Sequence, residues 1–419
     1  MAIDGFRFLH AADIHLDSPL RGLSRYEGVP ADAVRTATRE ALVNLVDLAI
    51  DEEVAFVVIA GDLYDGDWED FGTGLFFCGA MRRLHEAGIE VFLLYGNHDA
   101  DSSITRRLPL PPNVREFPHR APTTLEHAAT GTLLHGQSYK DRDPGGNLAL
   151  AYPAATQGRL NVGVLHTCLQ GAAEHAPYAP CDPAELAAKG YDYWALGHVH
   201  GFAVVGERPH IVFPGNLQGR SVRETGPKGA VLVTVDQAGI AGVEHVALDV
   251  VRWSRVEVDA SGLATAPEVE EAIRAALVRA RDRDAEGRPL VVRVELIGES
   301  EAHGALLARR QDLREDVRAI AAGLSERIWI EKVRLGTSPT RAAAAGPAGD
   351  DLSALLLAAG SDPELRDILR RDFADLAARL PADLGADSEL VGAVRSGEFE
   401  AIISGAAASL RLRLAGGRA

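Results

Sequence analysis

Three short apolar runs restrict what this chain can fold into. Phe6–Ile14, Val54–Ala60 and Ile89–Leu93 are rich in β-branched or aromatic residues and read as buried strands. Between them lie Ala33–Ile50, with apolar residues at Val34, Ala37, Ala41, Leu42, Leu45, Val46 and Ala49, and Phe71–Ala87; both have a helical period. Strand, helix, strand, helix, strand at this spacing predicts a layered α/β domain. Leu160–Leu165 and Tyr191–Leu196 read as further strands, and Ile211–Asn216 and Gly229–Val235 as closing ones. From Asp101 to Gly158, with Pro109, Pro111, Pro112 and Gly145-Gly146, the pattern predicts loops and short strands.

Each main strand ends on a residue able to do chemistry. The first ends in Asp13-Ile14-His15, whose carboxylate and imidazole, two apart, share a face. The second leads to Gly61-Asp62 and the third to Gly96-Asn97-His98-Asp99, where Gly96 lets the backbone turn sharply. Leu160–Leu165 ends at His166. Tyr191–Leu196 ends at Gly197-His198-Val199-His200, where Gly197 permits close backbone approach. Singly, each has a plain alternative. Gly-Asn-His-Asp is a good turn, Asp62 can cap a helix, and His198 and His200 can be a surface pair. Together, Asp13, His15, Asp62, Asn97, His98, His166, His198 and His200 all fall where strand ends converge on one sheet edge. Mixed carboxylate, imidazole and amide groups suit divalent metal. His85, His119, His127, His175 and His303 show no such placement and read as structural or surface residues. Arg106 and Arg107 lie just past Asn97-His98 and could meet phosphate; a solvated basic pair is the plainer reading.

Composition narrows the function classes. The 419 residues suffice for two or three domains. The formal net charge of -17 excludes broad electrostatic attraction to DNA, so any such contact must be local or use cations or a partner. No apolar run approaches the ~20 residues that span a membrane. Met1–His10 lacks the basic start and long apolar core of a signal peptide. Cys78, Cys168 and Cys181 form no Cys-x-x-Cys pair, which predicts reduced thiols in a cytoplasmic protein.

The ordered set Asp13-x-His15, Gly61-Asp62, Gly96-Asn97-His98, His166 and Gly197-His198-x-His200 resembles the calcineurin-type metallophosphoesterases over residues 1 to roughly 250. Phe8–Leu16 and Gly61–Asp65 resemble the DNA-repair exonuclease branch, the SbcD-like nucleases. Leu108–Val114 and Phe213–Arg220 resemble its YhaO subgroup. The resemblance implies a four-layer β-sandwich flanked by helices, with a small α/β capping domain and a C-terminal helical region. It implies two divalent metal ions, manganese ahead of iron or zinc. Asp13, His15, Asp62 and His200 would hold the first, and Asp62, Asn97, His166 and His198 the second, with Asp62 bridging. His98, outside both sets, would stabilise the transition state or protonate the leaving oxygen. Asp65 stands where some members of the branch carry histidine and is given no catalytic role.

The first domain is expected over 1–250, the cap over 251–336, a linker over 337–350 and a helical region over 351–419. In the last, Leu352, Leu355 and Leu356 open one apolar stripe, and Leu365, Ile368, Leu369, Phe373, Leu376 and Leu380 another. The stripes serve either a helical domain packed on itself or a docking face for a partner helix. In the resembling nucleases such a segment binds the coiled-coil base of an SbcC-like ABC-type ATPase, and homodimers are common. The leading expectation is a metal-dependent DNA exonuclease with some single-strand endonuclease activity. A phosphatase or phosphodiesterase acting on nucleotides or phosphoproteins, and a non-catalytic scaffold, are the alternatives.

Overall fold

The computed structural model describes residues 5–18, 31–65, 71–100, 109–169, 179–340, 362–379 and 389–400, with 358, 402–403, 406–407 and 410 besides. The chain forms two compact units. One comprises Met1–Arg255, Ala280–Val292 and Arg327–Glu331; the other comprises Val256–Arg279, Arg293–Glu326 and Lys332–Ala419.

The first unit begins with β1 (Phe6–Ala11), α1 (Ala31–Asp51), β2 (Phe56–Ala60), α2 (Phe71–Glu86), β3 (Glu90–Leu94) and the single turn α3 (Asn97–Ala100). There follow β4 (Val114–Glu116), β5 (Thr123–His127), β6 (Thr132–Gly136), β7 (Asn161–His166), α4 (Pro183–Ala187), β8 (Tyr193–Gly197), β9 (Ala203–Glu207), β10 (His210–Phe213), β11 (Gly229–Asp236) and β12 (Gly239–Ala247). The strands make two six-stranded sheets, ordered β12-β11-β1-β2-β3-β4 and β5-β6-β7-β8-β10-β9. Within them β1, β2 and β3 are parallel neighbours, as are β6, β7 and β8.

Buried side chains tie these layers together. Phe8, Phe56 and Phe92 from one sheet meet Val162, Val164, Tyr193 and Ala195 from the other. The opposite face of the first sheet packs Leu9, Val57 and Leu93 against Leu42, Leu45 and Val46 of α1 and Phe77 and Met81 of α2. On the second sheet's far side Trp194 of β8 packs with Leu186 of α4 and Tyr152. The result is α/β/β/α, the layered fold expected. Parallel strands buried on both faces explain why β2 and β3 read as unbroken apolar runs.

Beyond β12 lie β13 (Arg252–Asp259), α5 (Ala266–Ala280), β14 (Leu290–Ser300), α6 (His303–Ala308), α7 (Arg310–Leu324) and β15 (Ile328–Pro339). These strands form a three-stranded sheet in the order β13-β14-β15. α7 buries Leu313, Val317, Ile320 and Ala321. Arg309 separates α6 from α7. β15 runs on to Pro339, into the stretch read as linker; 341–350 lie outside the described residues.

Farther along are α8 (Pro363–Arg379) and α9 (Glu389–Ser396). Leu365, Leu369 and Phe373 pack against Ala393, Val394, Phe399 and Ile403. Ile368 and Leu376, from the same sequence stripe, are exposed. Leu352, Leu355, Leu356 and Leu380 lie outside the described residues. Cys78, Cys168 and Cys181 are buried and free. No helix among the described residues is long and apolar enough to cross a membrane.

Candidate metal centre

The carboxyl ends of β1, β2, β3, β7 and β8 each deliver part of one cluster. His15 Nε2 lies 3.3 Å from His200 Nε2 and 3.9 Å from Asp62 Oδ2. His166 Nε2 lies 3.4 Å from Asp62 Oδ2 and 2.9 Å from Asn97 Oδ1. His200 Nε2 is 3.8 Å from Asp13 Oδ1. The His198 backbone N–H donates to Asp13 Oδ2 at 2.9 Å, and the rings of His166 and His198 sit 5.3 Å apart. The His98 backbone N–H donates to Asp62 Oδ1 at 3.0 Å. The His98 ring lies 5.1 Å from that of His15, so all eight side chains singled out at strand ends meet. Arg106 and Arg107 lie outside the described residues.

The backbone here is held in an unusual state. Asp13, His15, Asp62 and His198 have φ of 50°, 45°, 51° and 99°. Left-handed backbone at non-glycine residues is uncommon and persists where surrounding contacts over-determine it. Those contacts are visible. Asp13 N–H donates to the Gly61 carbonyl, His15 N–H to that of Asp62 and Leu16 N–H to that of Leu63, at 2.9 to 3.0 Å. They lock the loop after β1 onto the loop after β2.

Asp99 performs the same service for the third loop. Its buried carboxylate accepts from Gly96 N–H at 3.0 Å, Leu63 N–H at 3.1 Å and Tyr64 N–H at 2.8 Å. Burial and the neighbouring Asp62 raise its pKa to about 7 against the pull of those donors.

Two glycines are required by contact. A Cβ on Gly197 would lie 2.0 Å from the Ala60 carbonyl oxygen, and one on Gly96 2.3 Å from Asp62 Oδ1. The close approach read at Gly197 is what the fold uses. Gly96 is likewise needed for space; its φ is not left-handed. Gly197→Ala should therefore cost ~1–3 kcal/mol, the range of overpacking, because the obstacle is backbone. Chemical denaturation would measure it, with unchanged stability as the contrary result.

The donor set fits cations. His166 Nδ1 donates to the Ala60 carbonyl at 3.0 Å, so a neutral ring would aim its Nε2 lone pair at the Asn97 amide oxygen 2.9 Å away. His200 Nδ1 is 2.7 Å from Glu224 Oε1, so its Nε2 likewise offers a lone pair toward His15 Nε2. Lone pairs converging at such distances repel unless a proton or a cation stands between them. The carboxylate-supported imidazole of His200 is also the usual arrangement behind a metal-ligating histidine. Asp13, His15 and His200 present one such set of donors, and Asp13, Asp62 and His166 another. Burial opposes ionisation of Asp62, but His166, His15 and His98 hold its pKa below the ordinary carboxylate range. Burial opposes charge on His166 too, yet Asp62 and Asp13 raise it to about 9.

Asp13, His15, Asp62, Asn97 and His166 are buried, whereas the side chains of His98 and His200 are 34% and 25% exposed. The accessible side of the cluster thus carries an imidazole outside both expected ligand sets. Asp65, left without a role on sequence grounds, holds that imidazole: its Oδ1 is 2.8 Å from His98 Nδ1. Burial works against the His98 cation, but Asp65 and Asp62 raise its pKa. Glu224, Asp65 and Asp99 support the cluster through contacts that strand-end reading does not show. Asp65 and Asp99 lay inside phrases already singled out; Glu224 carried no signal.

Comparison with known proteins agrees with this geometry. The calcineurin-like phosphoesterase family model matches residues 6–202, and that of the metallophosphoesterase YhaO middle domain matches 253–338. The chain is 33% identical over 295 residues to the uncharacterized metallophosphoesterase YhaO of Bacillus subtilis, covering 70% of this chain and 71% of that one. It is 26% identical over 333 residues to the DNA double-strand break repair protein Mre11 of Haloferax volcanii, covering 74% and 68%. To the protein of the same name from Methanopyrus kandleri it is 25% identical over 280 residues, covering 59% and 58%.

Proposed function

Because the chain belongs to the calcineurin-like metallophosphoesterases, we propose that it hydrolyses phosphodiester bonds in DNA, as an exonuclease with two divalent cations. The observation that carries this reading is the convergence of eight metal-type and proton-donating side chains at the carboxyl ends of strands from both six-stranded sheets, in a chain with relatives named as DNA-break repair proteins. Asp13, His15, Asp62 and His200 would hold one cation. Asp62, Asn97, His166 and His198 would hold the other. When bound, such a pair supplies a hydroxide nucleophile at neutral pH and neutralises phosphate charge.

The chain's own groups do the rest. Asp62 offers two carboxylate oxygens and stays ionised among imidazoles, so it can serve both sets at once. The His98 backbone N–H fixes one of those oxygens. The His98 ring, its Nδ1 held by Asp65, keeps Nε2 for substrate. As the phosphorus–oxygen bond breaks, the Nε2 proton passes to the leaving oxygen and the ring ends neutral. Manganese is the cation proposed, from the mixed nitrogen and oxygen donors. An SbcC-like ABC-type ATPase is the proposed partner. Exposed Ile368 and Leu376 on α8, left over once Leu365, Leu369 and Phe373 pack inward, support a docking face there.

A second reading, hydrolysis of nucleotides or phosphoproteins, is favoured by the net charge of -17, which repels polyanions at long range. End-labelled single and double strands incubated with each divalent metal, beside cyclic nucleotides and phosphomonoesters, separate the two. Progressive shortening of DNA is expected. Turnover confined to the small substrates would replace the first reading with the second.

A further inference from the structure

One guanidinium joins the two carboxylates that hold the exposed imidazoles. Asp65 Oδ1 contacts His98 Nδ1 at 2.8 Å, and its other oxygen, Oδ2, is 3.4 Å from Arg220 Nη1. Arg220 Nη2 is 3.3 Å from Glu224 Oε1, the atom that contacts His200 Nδ1 at 2.7 Å. The Arg220 backbone N–H donates to Glu224 Oε2 at 2.6 Å, so the same residue grips Glu224 twice. Ser18 Oγ donates to Asp65 Oδ2 and accepts from Arg220 Nη1 at 3.3 Å; Asn216 Nδ2 donates to Glu224 Oε2 at 3.1 Å. The path His98–Asp65–Arg220–Glu224–His200 is continuous, and its three middle side chains are only 17%, 21% and 12% exposed for Arg220, Asp65 and Glu224.

We infer that Arg220 is a positioning residue shared by the proton donor and a metal ligand: it sets Asp65 behind His98 and Glu224 behind His200 together. The planar fork makes this possible. A guanidinium presents donors in fixed directions and can engage two carboxylates at once, which an ammonium cannot do with the same geometry. Without it, Asp65 and Glu224 would stand as neighbouring anions at the open side of the cluster, repelling each other and an arriving phosphate. The inference rests on the metal-dependent hydrolysis proposed above, but not on DNA as the substrate.

The test compares Arg220→Gln, Asp65→Asn and Glu224→Gln on two phosphodiesters of similar shape, with manganese affinity measured separately by calorimetry. In bis(p-nitrophenyl) phosphate the leaving phenolate departs without a proton; in diphenyl phosphate it benefits from one. Asp65→Asn should slow diphenyl phosphate at least ~10-fold more than the nitrophenyl ester, the signature of an impaired proton donor, with manganese affinity retained. Glu224→Gln should weaken manganese ~10–100-fold, the usual cost of a group supporting a ligand, with no dependence on leaving group. Arg220→Gln should show both changes. If it does not fold, Arg220→Lys, which keeps charge but not the fork, should show the same pair at smaller size. An equal loss on both esters with manganese affinity unchanged would make Arg220 a direct phosphate contact and overturn the inference, as would wild-type behaviour. Wild-type protein that neither binds manganese nor cleaves either ester would instead overturn the hydrolytic reading beneath it.

Discussion

Asp62→Asn is expected to remove phosphodiester hydrolysis almost entirely and to reduce the number of bound divalent cations. The loss should exceed the ~10–100-fold that follows from deleting a group merely supporting a ligand. Asp62 lies 3.4 Å from His166 Nε2 and 3.9 Å from His15 Nε2, so it faces a member of each expected metal set. An amide keeps its size and one acceptor oxygen but removes the negative charge. Metal analysis of purified protein beside activity on a phosphodiester tests both halves. Full activity in Asp62→Asn would end the dinuclear account.

The second large effect separates binding from chemistry. His98→Gln should lower kcat ~10²–10⁴-fold, the range for a lost general acid, while manganese affinity stays near wild type. The reason is that His98 touches Asp62 through its backbone N–H, which the substitution keeps. Only the ring, facing Asp65 and the open side, is removed. Calorimetric titration with manganese alongside single-turnover kinetics would check this. A parallel loss of metal affinity and rate would make His98 a ligand and remove its proposed role.

The strands with both faces buried are readable because period and composition agree there: the apolar run Val54–Ala60 predicts a buried strand, and Phe56–Ala60 is wholly buried. β9 escaped notice because Val204 and Val205 are both exposed, which breaks the alternation a reader looks for. β12 escaped because it contains Gly239 and Gly242 and is mostly half-buried. The site followed a similar rule. Residues at strand ends were legible because topology alone brings strand ends together. Glu224 and Arg220 were not, because their roles exist only through contacts across the fold; Arg220 meets Asp65 from 155 positions away. Asp65 was passed over because the resemblance supplies a different residue type at that position, whereas its own geometry assigns it to His98.

The left-handed backbone at Asp13, His15, Asp62 and His198 bears on how this centre can be dissected. Asparagine tolerates that conformation far better than alanine does. An alanine scan here would therefore blend two injuries, lost chemistry and a loop pushed toward a different path, and would credit the side chain with both. Asparagine replacements keep the loop's course and isolate the donor atom. The same logic limits transplantation: grafting these four residues onto an ordinary strand terminus would carry over the functional groups while leaving behind the bends that aim them.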